Sequence, residues 1–135
     1  MYFKMKIIFL SLFFSFNTFS AQEFTCEDME KKFSVVGSIG TGDSLLGPVY
    51  VYNHGLEQEY QLSEFSVSHF WIDRNQGEIR LRSYDMMEDK DRVVLVVNEG
   101  RGTVSLDYKI EAVSELKRVS SLDVKVEKLE VSCNF

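Results

Sequence analysis

Two cysteines constrain this chain more than anything else in it. Cys26 and Cys133 are its only thiols, and they stand near opposite ends of 135 residues. If they bond to each other, the segments carrying them lie side by side and most of the chain becomes one closed loop. Disulfides persist only where the surroundings are oxidising, so the compartment decides the matter. The N-terminus speaks to that. Lys4 and Lys6 make a basic start, Ile7 to Phe16 is a short apolar core, and Thr18-Phe-Ser20 offers small residues at the two positions a signal peptidase reads. The apolar run is too short to span a bilayer as a helix, so residues 1–20 are expected to be a removed secretory signal peptide. A single domain over 21–135 remains. Cys26 has no lipobox before it, so a lipid-anchored N-terminus is not expected. A bridge closing a loop of about 106 residues contributes on the order of 4–5 kcal/mol at most in the chain-entropy model. The remaining ~114 residues can bury a core unaided, so the bridge should stiffen the fold rather than create it.

Within the loop the hydrophobic pattern has a period of two, the period of a strand. Ile79 and Leu81 alternate with Arg80 and Arg82, and Val104, Leu106, Tyr108 and Ile110 alternate with polar residues. Phe33, Val35 and Ile39 fall on one side of a first strand, and Glu27 to Glu30 read as a turn or a single helical turn. Pro48, the only proline, opens Val49 to Tyr52, where a missing donor does least harm. Asn53-His-Gly55 turns the chain into Leu56 to Leu62, and Phe65 to Ile72 is the most aromatic strand. Val93 to Val97 is apolar at every position, which predicts a strand covered on both faces. Ala112, Val113, Leu116 and Val119 share a face at helical spacing, predicting a short helix or packed loop between Glu111 and Ser121. In the last strand, Leu122, Val124 and Val126 sit at even positions but Leu129, Val131 and Cys133 at odd ones. That slip of phase predicts a β-bulge near Glu127-Lys128. About eight such strands predict an all-β fold, a small antiparallel sandwich or a closed or partly closed barrel, with the Cys26–Cys133 disulfide stapling its terminal strands.

Charge removes some functions. Loss of residues 1–20 takes away two lysines and no acids, so 13 basic against 21 acidic side chains leave a net charge of −8. Such a domain repels phosphate backbones, and no nucleic-acid partner is expected. Motifs for catalysis fare little better. Gly42-Asp-Ser-Leu45 resembles the block around the nucleophilic serine of the GDSL hydrolases. That family pairs its serine with a histidine in a C-terminal Asp-x-x-His. Here His54 and His69 have Val51 and Ser66 at the matching position, and no Gly-x-Asn-Asp occurs. Without a base Ser44 stays a weak nucleophile, so the string reads as a turn.

Asp85, Glu88, Asp89 and Asp91 cluster within seven residues and form a weak candidate for calcium, which takes six to eight oxygens. Lys90 and Arg92 interrupt the cluster, so a solvated hairpin tip is expected instead. Two histidines alone do not complete a transition-metal site. No cofactor and no catalytic residue is assigned.

Aromatic residues are the remaining excess. Both faces of Ser66 to Ile72 carry them, so Trp71, Phe70 and Tyr52 are the candidate binding surface. The end of the chain, with Leu129, Val131, Cys133 and Phe135 spaced in twos, resembles the terminal strand of bacterial outer-membrane barrels. Glu127 breaks that series and the strands read as short, so no membrane span is expected in the mature chain. The sequence therefore predicts an exported, non-catalytic β domain, periplasmic or extracellular, acting as a protein-interaction module: an envelope assembly component or an inhibitor-like binder. The alternative is a carrier of a small apolar ligand with a lipocalin-like barrel, although the Gly-x-Trp typical of lipocalins is missing. A hydrolase using Ser44 ranks third.

Overall fold

A computed structural model of the chain describes residues 22–113 and 119–135. The expected signal peptide lies outside them. The described residues form nine antiparallel strands in one sheet: β1 (Gln22–Asp28), β2 (Phe33–Ile39), β3 (Leu45–Asn53), β4 (Gln58–Leu62), β5 (His69–Asp73), β6 (Glu78–Asp85), β7 (Lys90–Asn98), β8 (Arg101–Val113) and β9 (Val119–Asn134). Two short 3-10 turns, Thr41–Asp43 and Glu64–Ser66, complete the described secondary structure.

The strand order is β4-β3-β2-β1-β9-β8-β7-β6-β5. Two meanders thus grow in opposite directions from one junction, the pairing of β1 with β9. That pairing is short, from Thr25↔Asn134 to Asp28↔Val131, and Cys26 stands directly opposite Cys133 within it. The disulfide is formed, with an S–S distance of 2.11 Å and a Cα–Cα distance of 4.0 Å. The staple joins the N- and C-terminal strands, as the sequence predicts.

The meanders end on β4 and β5, which are neighbours in the chain. From Leu62 to His69 the backbone can reach at most ~25 Å, so the sheet must curl until its two edges approach. Core contacts show the curl. Tyr60 of β4 stacks on Tyr108 of β8 with ring centroids 4.2 Å apart, and Phe24 of β1 stacks on Phe70 of β5 at 6.0 Å. Each pair is five positions apart in the strand order, too far to meet across a flat sheet. The result is a curled half-barrel, filled by Phe24, Ile39, Val51, Ile79, Leu95, Leu106, Tyr108 and their buried neighbours. Gly37 makes room for that filling. A Cβ there would lie 2.4 Å from the Phe24 ring.

The β-bulge falls where the phase slip places it. Val104 pairs with Leu129 but Leu106 with Val126, so one extra residue is accommodated on β9. Lys128 takes the left-handed conformation at φ 47° and donates its backbone N–H to Ser105 Oγ at 3.0 Å.

Four expectations need correction. Nine strands are present because Gln22–Asp28 is a strand; its inward residues Phe24, Cys26 and Asp28 alternate over too short a run to stand out. Asp28 is buried and accepts a hydrogen bond from the Phe33 N–H at 2.9 Å, which closes the β1–β2 turn. No helix spans Glu111 to Ser121, because Glu111↔Ser121, Ala112↔Ser120 and Val113↔Val119 are strand pairs. The flanking residues of the helical spacing are thus strand-paired; residues 114–118, which include Leu116, lie outside the described ones. The aromatic strand is shorter than expected, since Glu64–Ser66 is a 3-10 turn, whereas β9 is longer, at 16 residues. Finally, Val94 and Val96 are half-buried on the outer face rather than covered by a second layer. Arg80 stands opposite Val96 and reaches past it to Val97 O at 2.7 Å and Asn98 Oδ1 at 2.6 Å, so its aliphatic stem lies beside that valine.

Candidate binding site

The sheet does not close, since β4 and β5 end the strand order without pairing to each other, and a concavity lies at the seam. On one side lies β4, which pairs only with β3. On the other lies the upper part of β6. Its partner β5 begins pairing at His69↔Arg82, so Tyr84 and Asp85 extend past it. The connection between β4 and β5 straps the seam at one end: Ser68 donates its N–H and hydroxyl to Arg82 O, both at 2.9 Å, and Ser83 Oγ donates to Ser66 O at 2.9 Å. Beyond the strap a cleft of about 480 Å³ opens, lined by Tyr60, Leu62, Phe65, Ser83, Tyr84, Met86 and Arg92 among others.

Its charges are settled internally. Arg92 holds Asp85 through Nη2 at 2.7 Å and Nε at 3.1 Å, and reaches Glu88 at 3.1 Å. The Arg92 guanidinium, helped by the N–H groups of Glu88 and Met87, keeps the Asp85 carboxyl below the usual carboxylate range. Burial pushes the Tyr60 hydroxyl up. The apolar rim is not settled. Phe65 is 91% exposed and Met86 85%.

The three aromatic residues singled out from the sequence do not form one surface. Phe70 turns inward onto Phe24, contrary to a surface role. Trp71 faces out on β5, opposite Arg80 and 44% exposed. Tyr52 faces out on β3, in a row with Tyr50 and His54 whose rings follow one another at 6.1 Å. Burial, then the Glu59 carboxylate, raises the Tyr52 hydroxyl pKa.

Ser44 sits in an exposed turn and donates to Thr41 O at 3.1 Å. The acidic tip disperses its carboxylates among separate partners: Asp85 and Glu88 with Arg92, Asp91 with Arg82 at 2.6 Å, and Asp89 with the Tyr84 hydroxyl. Among the described residues no three metal-ligating side chains gather.

One polar pair escaped the sequence reading, which matched no base to a nucleophile. Ser34 Oγ lies 2.7 Å from His54 Nε2. Only the β2–β3 register, which sets Ser34 opposite Tyr52, brings them together. Ser34 is 5% exposed, and the hydrogen bond fixes the His54 ring against β2. A larger concavity of about 740 Å³ lies beside the β1–β9 junction, with Glu27, Lys31, Arg101 and Glu130 among its lining residues. It offers no comparable apolar anchor except Met29, which is 97% exposed. No family model matches this chain, and no curated protein or solved structure is significantly similar to it.

Proposed function

We propose that this chain is an exported, non-catalytic binding protein whose target is another protein, in envelope assembly or in inhibition of a foreign enzyme. One observation carries the reading: Phe65 and Met86 stand almost fully in water on the rim of a cleft that runs between two strand edges. Exposed aromatic and methionine side chains beside a cleft are the composition of a protein-binding hot spot. Export is supported by the formed Cys26–Cys133 bridge. Among the described residues, no helix is long and apolar enough to cross a membrane.

The carrier reading has less behind it, because the Tyr60–Tyr108 and Phe24–Phe70 stacks occupy the space inside the curl where a lipocalin-like ligand would lie.

The test combines native mass spectrometry of protein purified from its own envelope fraction with photo-cross-linking from position 65. Position 71 serves as the control. A stoichiometric polypeptide bound, and cross-linked from position 65, is the expected result. A small-molecule adduct with no bound polypeptide would transfer the assignment to the carrier.

A further inference from the structure

The geometry points to the seam as a strand-insertion site: it takes an extended segment of a partner protein, apolar at alternate positions and bearing basic residues between them, which pairs with β4 and upper β6. This rests on the protein-binding reading above and names the partner's chemistry.

The backbone supplies the first argument. β4 is a terminal strand, so from Gln58 to Leu62 alternate N–H and C=O groups turn away from β3 toward the cleft. Across the cleft, Tyr84 and Asp85 have run past β5 and have no strand beside them on that side. Among the described residues no turn or loop backbone hydrogen bond spans the two edges above the strap. An extended peptide entering here would meet unpaired backbone on both flanks, not on one as in ordinary edge addition. Opposite five residues of β4 it would extend for ~17 Å.

Side chains supply the second. In a strand laid into the cleft every other residue faces inward, where the half-buried Tyr60 offers apolar surface over the buried Leu62. The intervening residues face the rim, where Phe65 and Met86 stand exposed.

Charge supplies the third. Every cation near the rim is already ion-paired: Arg82 with Asp91, Lys90 with Glu88 and Asp107, Arg92 with Asp85 and Glu88. Glu59 and Glu64, on β4 and the strap, have no ion pair among the described residues. Among those residues Glu64 accepts only the Gly47 N–H, at 3.3 Å, and Glu59 only the Tyr52 hydroxyl, so negative charge with no cation opposite it flanks the cleft and selects lysine or arginine between the apolar positions of the incoming segment.

The experiment selects phage-displayed random linear peptides on the intact, disulfide-bonded protein, then measures the best as synthetic peptides. Enriched sequences should alternate apolar residues with lysine or arginine. Binding should protect amides of Gln58–Leu62 and Tyr84–Asp85 from hydrogen exchange, and N-methylation at alternate peptide residues should abolish it. Phe65→Ala, at a position too exposed to matter for folding, should weaken binding by about tenfold. Three results would each overturn strand insertion: no selectable peptide, protection mapping instead to the faces of Trp71 or Tyr52, or N-methylation without effect. A native partner cross-linked from position 65 alongside any of these would leave the protein-binding reading standing.

Discussion

Tyr108 shows how one residue records the curl of the whole sheet. Its ring lies against Tyr60 and its side chain is 1% exposed, yet its hydroxyl has no hydrogen-bond partner among the described residues. Burial, with the Tyr60 hydroxyl adding to it, pushes the Tyr108 pKa up to about 12 from its ordinary value of 10.0. The sign of the linkage follows. Between these values the unfolded chain has released the proton that the folded one still holds, so stability is complete below pH 10 and falls as pH rises toward 12. Tyr108→Phe keeps the ring and removes an unsatisfied buried hydroxyl. It should raise stability by about 1 kcal/mol at neutral pH and flatten the alkaline decline. Urea unfolding at a series of pH values decides this; a variant less stable than the parent at pH 7 would mean the hydroxyl is satisfied in solution.

At the scale of elements, the bulge in β9 is the most instructive piece. A register slip of one residue would send every apolar side chain beyond it to the wrong face, and the extra residue at Glu127-Lys128 absorbs the slip. The cost is concentrated at Lys128, held at φ 47°, a conformation that an L-residue with a Cβ adopts at about 1–2 kcal/mol. Replacing it should therefore give opposite signs. Lys128→Gly should stabilise by about 0.5 kcal/mol, after allowing for the greater freedom of glycine in the unfolded chain, and Lys128→Val should destabilise by about 1–2 kcal/mol. Thermal unfolding of the two variants side by side tests the assignment, and two shifts of the same direction would refute it. The β7–β8 pair works on the opposite constraint. A Cβ at Gly102 would come within 1.8 Å of Val96 O, so closeness of backbones, not conformational freedom, demands glycine there.

At the scale of the molecule, the two meanders share one short ladder at β1–β9 and the stacked rings inside the curl. The disulfide sits in that ladder. Replacing both cysteines by alanine should cost up to about 4 kcal/mol, and hydrogen exchange should show the β1–β9 amides opening first. Unchanged stability after the double replacement would mean that the interior stacks alone hold the halves together. The same topology leaves β4 and β5 as edges facing a seam, and it is there, not on the outer aromatic faces, that the exposed Phe65 and Met86 gather.

Much of this was legible in the chain alone, for a physical reason: strand character, the inward face of each strand, the slip at Glu127-Lys128 and the pairing of Cys26 with Cys133 are local or covalent properties. A period of two is visible in a few residues, and only two thiols were available to pair. What the tertiary structure decided depends on distant segments meeting. Phe65 to Ile72 carries aromatics at several positions, but the curl turns Phe70 onto Phe24 and leaves Trp71 outside. Ala112, Val113 and Val119 fit a helical spacing, yet Ala112 and Val113 are strand-paired with Ser120 and Val119. Ser34 meets His54 through the β2–β3 register and nothing in the intervening residues announces it. The cleft exists because a nine-stranded sheet curls without closing. No single segment of sequence encodes that gap, since it is a property of how far the edges travel before the packed interior stops them.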